Sequence, residues 1–161
     1  MSKKPSWLPE MFVVEPWSKE LYDRLYTEVF CRDFKGTPIL YRGCAVWFFP
    51  ETYLGRELVF VHLTSRKNPR TGEREIDSMR SARLPWARPL IENSTATELL
   101  AWDFEEGDGS ICTYIWLPDH DYAIIMRKMA DESRRLITAY WIEHDHERKK
   151  LRKKYERRVQ A

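Results

Sequence analysis

The first hydrophobic pattern of the chain has the spacing of a helix. Apolar and aromatic side chains recur every three or four residues from Leu21 to Phe34, which is the period of one helical face. Ser18, just before them, is a favourable N-cap residue, and Lys35-Gly36-Thr37-Pro38 is typical of a helix end. The pattern predicts a helix from residue 18 to about residue 34.

Beyond residue 38 the apolar runs become short and rich in Val, Phe and Trp, which is typical of strands. These predicted strands are residues 45–49, 58–63, 111–117, 122–126 and 136–142. Residues 97–104 are compatible with a helix or a strand, and residues 83–93, with two prolines, are expected to begin irregularly. Because the later runs are separated by short turns, we expect them to pair antiparallel.

The two ends of the chain have different patterns. Residues 1–17 contain several prolines and aromatic residues and are predicted to form an extended arm. Residues 143–158 read as a charged helix with a thin apolar line. Residues 18–161 are therefore predicted to form a single α+β domain, in which an N-terminal helix is followed by a small antiparallel β-sheet (a meander) and closed by a basic C-terminal helix.

Composition narrows the class of protein. The chain has 161 residues, of which 43 % are apolar and 14 % aromatic, so it can bury a core and is not a disordered chain. The three cysteines form no CxxC pair, which argues against a disulfide framework and a closed zinc site. His144 and His146 lie two residues apart, which is unsuited to one helical face, so no metal or cofactor is expected. With no signal peptide or membrane-length apolar run, we expect a cytoplasmic protein without a membrane partner.

The net charge of +2 conceals a sorted distribution. Residues 66–88 have a net charge of +4 and residues 143–161 also +4, whereas residues 89–126 have eight acids and no Lys or Arg. Such sorting predicts one cationic face on an otherwise balanced domain.

The stretch from Phe60 to Lys67 contains the most informative candidate residues. If it is a strand, its alternation places His62, Thr64 and Arg66 on one face. An imidazole exchanges a proton near neutral pH, and a guanidinium holds a phosphate in bidentate fashion. A half-buried strand with a polar outer face explains the same residues without any function.

Two later stretches add candidates. Arg80, Arg83 and Arg88 flank a proline-stiffened segment. A loop that packs its apolar residues inward and leaves the arginines solvated explains the same pattern without a function. Thr138 and Tyr140 are predicted to share one face of a strand, where their hydroxyls are able to contact a phosphate.

The C-terminal helix carries a second group of basic residues. A run of Lys and Arg on a helix is usually a solvated face, but it is also the common footprint of phosphate binding. The candidate phosphate-binding residues are Lys67, Arg148, Lys149, Arg152 and Lys153.

In the order of its predicted helices and strands and in its local sequence, the chain resembles the barnase–EndoU–colicin–RelE superfamily, and most closely its phage- and mobile-element-encoded branch. The resemblance rests on Phe-Val-His-Leu-Thr-Ser-Arg at residues 60–66, on the segment from Asp77 to Asn93, and on Leu-Ile-Thr-Ala-Tyr at residues 136–140 followed by the basic tail. It implies a metal-independent ribonuclease of the toxin type, with RNA as substrate and an antitoxin or immunity protein as a possible partner. The resemblance implies a role for individual residues of this chain. The histidine of the superfamily's motif corresponds to His62, its basic residues correspond to Arg66 and to Arg80 or Arg83, and its late hydroxyl corresponds to Thr138.

The resulting hypothesis is an endoribonuclease in which the 2′-hydroxyl attacks the adjacent phosphate. His62 is its acid or base, Arg66, Arg80 and Arg83 clamp the phosphate, Thr138 positions it, and Tyr140 stacks a base or shares the proton transfer. The alternatives are a non-catalytic RNA-binding module that uses the same basic face, and a protein-interaction domain.

Overall fold

A computed structural model of the chain describes residues 3–160, so the first two residues of the predicted arm and the last residue of the predicted domain lie outside it. The helices are α1 (Lys19–Arg24), α2 (Cys31–Phe34), α3 (Leu58–Thr64), α4 (Ser78–Ala82), α5 (Leu84–Glu92) and α6 (Asp145–Glu156). The strands are β1 (Ile39–Tyr41), β2 (Cys44–Trp47), β3 (Thr52–Tyr53), β4 (Arg56–Glu57), β5 (Ser65–Lys67), β6 (Arg74–Ile76), β7 (Leu100–Glu105), β8 (Ile111–Leu117), β9 (Tyr122–Lys128) and β10 (Arg134–Trp141).

The predicted N-terminal helix is confirmed. It begins where Ser18 Oγ accepts a hydrogen bond from the Leu21 amide at 3.0 Å, and α1 and α2 are joined without a break by a π-helical segment, Leu25–Phe30. Leu25, Val29 and Phe30 are buried against the core.

The main sheet is mixed rather than purely antiparallel. Its six strands lie in the order β1-β2-β10-β9-β8-β7. Strands β7 to β10 form the predicted antiparallel meander, but β2 pairs parallel with β10. A parallel pair needs a long crossover, and here the connection from β2 to β10 contains α3 to α5.

Helices cover both faces of this sheet. One face packs against the N-terminal helix, α3 and α5 through a large apolar cluster. On the other face, Leu151 and Tyr155 of α6 pack with Trp102 and Trp116. Because both faces are covered, β8 is apolar almost throughout and is buried at six of its seven positions.

The prediction of a strand at residues 58–63 was wrong, because these residues form α3. Val59, Phe60 and Leu63 all enter the core, a spacing that fits one side of a helix rather than an alternating strand. Periodicity alone does not distinguish a buried helical turn from a buried strand in so short an apolar run.

Residues 84–92 are helical, although an irregular start was predicted there. Pro85 lies in the first turn of α5, where the missing amide hydrogen costs nothing. The arm packs beside this helix: Trp86 Nε1 donates to the Pro9 carbonyl at 2.8 Å.

A β-bulge in β10 changes which of its residues share a face. The register with β9 shifts between Leu136 and Thr138, so Leu136 and Ala139 enter one apolar cluster while Ile137 and Tyr140 pack against the other. The regular alternation of a strand is therefore interrupted at Ile137. The extra residue of the bulge resets the alternation.

Candidate functional site

A polar cavity of about 430 Å³ lies between the β5–β6 hairpin, α4 and the end of β10. Four of the residues that the sequence singled out line it: Arg66, Lys67, Arg80 and Tyr140. Its remaining walls include carboxylates, among them Asp77, Glu143 and Glu147.

The position of Arg80 is fixed by the start of α4. Asp77 caps this helix, its Oδ1 accepting from the amides of Met79 and Arg80 at 3.0 and 3.1 Å. The Asp77 amide and the Ser81 hydroxyl both donate to the Thr64 carbonyl, at 2.8 and 3.1 Å. The end of α3 therefore holds the helix that presents Arg80.

Arg80 is partly buried among main-chain acceptors, and its one ion-pair partner within the described residues is the carboxylate of Asp77. Its Nη1 donates to the carbonyls of His62 and Ser65 at 3.1 and 2.6 Å, and its guanidinium lies 5.8 Å from the centre of the Tyr140 ring. The nearest carboxylate oxygen, on Asp77, is 3.6 Å from Nε. Burial lowers the Arg80 pKa, and the partial compensation by Asp77 does not restore it.

Arg83 lies beside this cavity in a similar environment. Its guanidinium is 5.4 Å from the Trp86 ring centre and 5.5 Å from that of Trp141, and Nη1 donates to the Met79 carbonyl at 3.1 Å. It forms no ion pair with any described carboxylate, and burial lowers its pKa.

These two arginines together favour an anion. The Nε atoms of Arg80 and Arg83 are buried and make no hydrogen bond within residues 3–160. Withdrawing a cation from water is costly unless a counter-charge offsets it. Asp77 offsets part of this cost for Arg80, and an anion bound beside the two guanidiniums recovers more of it.

The mouth of the cavity combines charges of both signs. Arg66 is exposed and pairs with Glu143 at 3.2 Å. Burial, assisted by the negative charge of Glu147, raises the pKa of the Tyr140 hydroxyl to about 12. Tyr140 is therefore a protonated phenol at neutral pH and is able to donate a hydrogen bond or a proton.

His62 joins the site through its main chain, not through its ring. Its carbonyl accepts from Arg80 and, at 3.4 Å, from the Thr138 hydroxyl. The imidazole lines a separate groove with Glu51 and Arg135. Burial lowers the His62 pKa, and the nearby charges of Arg74 and Arg80 lower it further.

The predicted shared face of His62, Thr64 and Arg66 was therefore wrong. His62 and Thr64 lie on α3, and Arg66 lies on the following strand. Thr64 is fully buried, with its hydroxyl 2.9 Å from that of Tyr22, so its role is structural.

The cations predicted on the C-terminal helix have two kinds of environment. Arg148 forms a bidentate pair with Asp121 at 2.6 and 2.9 Å, and the Arg152 guanidinium lies 5.0 Å from the Trp116 ring centre. These two side chains hold α6 to the sheet. Lys149, which lies 3.5 Å from Asp145, and Lys153 are exposed and remain available for a phosphate backbone.

Sequence reasoning missed several residues of the cavity wall, notably Asp77, Trp141, Glu143 and Glu147. Asp77 had a visible signal, because Asp is a preferred N-cap residue and the helix starts directly after it. Glu143 and Glu147 had no signal in the sequence, because only the turn from β10 into α6 brings them beside Tyr140.

Within the described residues, no group of three or more His, Cys, Asp or Glu is arranged to hold a metal ion. Over the same range, no helix has both the length and the apolar character of a membrane span. No family model, no curated protein and no solved structure matches this chain.

Proposed function

We propose that the chain is a metal-independent endoribonuclease that binds the phosphate of its RNA in the cavity beside Arg80. The observation that supports this proposal most directly is the pair of partly buried guanidiniums of Arg80 and Arg83, whose Nε atoms are buried without a hydrogen bond to any described residue and of which only Arg80 has an ion-pair carboxylate there, Asp77 at 3.6 Å. A phosphodiester places further negative charge beside these guanidiniums, whose planar donors match its oxygens in geometry.

The chemistry requires a base, an acid and cations. The 2′-oxygen forms a bond to phosphorus as its proton passes to the base, and the bond from phosphorus to the 5′-oxygen breaks as that oxygen takes a proton from the acid. The products are a 2′,3′-cyclic phosphate and a 5′-hydroxyl. Arg66, Lys67 and Arg80 stabilise the charge on the phosphate oxygens, and Tyr140, protonated at neutral pH, is the acid.

His62 is assigned as the base. Its imidazole reaches the RNA only where the RNA strand passes from the cavity into the separate groove that His62 lines. Thr138 lies at that boundary, because its hydroxyl contacts the His62 carbonyl. This assignment gives the proposal its most direct test.

The wild-type protein is expected to cleave RNA in the presence of EDTA, and the His62→Ala variant to lose the cleavage by about 100-fold or more, the usual effect of removing a general base. His146→Ala is the matched control, since His146 is exposed on α6 and lines neither the cavity nor the groove. Cleavage is followed on a labelled RNA by gel electrophoresis. Undiminished cleavage by His62→Ala contradicts the role of His62.

The same role predicts a particular pH dependence. A base acts in its unprotonated form, and the His62 pKa lies below the ordinary histidine value of about 6.5. The cleavage rate is therefore expected to rise with pH and to reach its plateau with a midpoint below about 6.5. The residual activity of His62→Ala is expected to lack this acidic limb, and a limb that persists in the variant assigns it to another group.

The second candidate function is RNA binding without cleavage, and one observation favours it: the His62 imidazole and the cavity belong to different grooves. A binding module gives salt-dependent association with RNA and no product after long incubation. The cleavage assay in EDTA separates it from the ribonuclease.

A further inference from the structure

A second cavity, of about 290 Å³, lies on the other side of the β5–β6 hairpin. Glu75 and Ile76 of β6 line both this cavity and the one beside Arg80. Side chains of β5 divide between the two, Ser65 lining the second cavity and Arg66 the first. The hairpin is thus a thin wall with a binding space on each side.

The rim of the second cavity is apolar and exposed. Tyr53 is 49 % exposed, Ile76 43 % and Leu54 88 %. Folding alone does not explain why these side chains are exposed, because a large apolar surface in contact with water does not stabilise the unbound protein.

Leu54 is also in an unfavourable backbone conformation. It occupies the first turn position between β3 and β4 with φ of 52°, and Gly55 follows with φ of 85°. Two-residue turns with positive φ at both positions favour Asn, Asp or Gly at the first one. A leucine at this position therefore costs the folded state some stability without burying its side chain.

The inner wall of this cavity combines aromatic rings with guanidiniums. The Arg56 guanidinium lies 5.2 Å from the Tyr22 ring centre. Arg74 is fixed by hydrogen bonds from Nε and Nη2 to the hydroxyl and carbonyl oxygens of Ser65, at 2.9 and 3.0 Å, whereas Arg56 forms an ion pair with Asp23. Aromatic faces and guanidinium planes are the surfaces on which unpaired nucleobases stack.

We propose that this cavity is the nucleobase subsite of the same RNA whose phosphate binds beside Arg80. The inference rests on the proposed function. A strand of RNA that crosses β6 places a phosphate on the Arg80 side and a base between Tyr53, Leu54 and Ile76 on the other. The hairpin wall is a single sheet layer, about 10 Å thick with its side chains, a distance that a trinucleotide spans. The occupant is a base and not an aliphatic group, because the wall opposite the apolar rim offers an aromatic ring and guanidinium planes for stacking.

The test measures binding of short RNAs with and without one base. The probe is a labelled trinucleotide with 2′-O-methyl riboses, which no 2′-hydroxyl attack can cleave, compared with analogues that carry an abasic ribose at each position in turn. Fluorescence anisotropy gives each Kd for the wild type, for Tyr53→Ala and for Leu54→Asn. Leu54→Asn suits the turn conformation, so its folding is expected to be intact or improved.

The wild type is expected to bind the intact trinucleotide about 10-fold more tightly than one of the abasic analogues, as the loss of one stacked base implies. Tyr53→Ala and Leu54→Asn are expected to reduce this preference while leaving the affinity for that abasic analogue unchanged. Equal binding of all the analogues by the wild type overturns the base subsite and leaves the phosphate site standing. Failure of the wild type to bind any of them overturns the proposed function itself.

Discussion

Replacing Arg80 with alanine is expected to reduce RNA cleavage by about 100- to 1000-fold, the usual cost of losing one preorganised donor to a developing oxyanion. Arg80 is the partly buried cation of the cavity, and its guanidinium is held by two carbonyls and the Tyr140 ring. It therefore needs little rearrangement to meet a phosphate. The loss is measured as kcat/KM on a labelled RNA under single-turnover conditions.

Arg80 also donates to main-chain acceptors, so its removal is expected to destabilise the fold by about 1–3 kcal/mol. Arg88 is the matched control. It too donates to carbonyls, those of Asp33, Thr37 and Pro38, at 2.7, 3.1 and 3.1 Å, but it does not line the cavity. Arg88→Ala is expected to lose similar stability and to cleave normally when folded. Equal loss of cleavage in both variants shows that Arg80 acts only through folding.

Much of the fold follows from local pattern. The N-terminal helix has a cap residue, a clear period and a stop signal, and the meander has three short turns that leave antiparallel pairing as the only option. The parallel pairing of β2 with β10 was beyond such reasoning, because it depends on where three intervening helices return the chain. The prediction of a strand at residues 58–63 failed for a different reason: both faces of a buried segment are apolar, and the hydrophobic period carries no information there.

The candidate site, too, was predicted only in part. Arg66, Arg80 and Tyr140 were found from residue type and order, and the structure places all three on one cavity. The ring of His62 lies elsewhere, because the turn of a helix rotates successive side chains by about 100° instead of alternating them. The bulge at Ile137 has no signal in the sequence either. The amino-acid composition of β10 does not show where a bulge lies, and the bulge reverses the face on which each later side chain of the strand lies.

The largest loss of stability is expected for Phe30→Ala. Phe30 is fully buried, and its ring centre lies 5.3 Å from that of Phe34, 5.8 Å from that of Phe48 and 5.2 Å from that of Phe60. These rings join the N-terminal helix to α3, the helix whose last carbonyls hold Arg80 and the start of α4. Removing a central ring leaves a cavity that the surrounding aromatic side chains cannot fill, at a cost of about 3–5 kcal/mol.

That cost is a large share of the total free energy of unfolding of a domain, which is ~5–15 kcal/mol. Urea denaturation followed by tryptophan fluorescence is expected to show a lower midpoint with an unchanged m value, because the surface exposed on unfolding hardly changes. Leu40→Ala, at a β1 position that is 50 % exposed, is expected to shift the free energy of unfolding by only about 0.5 kcal/mol. Similar midpoints for the two variants contradict the central place of Phe30 in the core. Because Phe30 lies outside the cavity, the folded fraction of Phe30→Ala is expected to bind RNA as the wild type does.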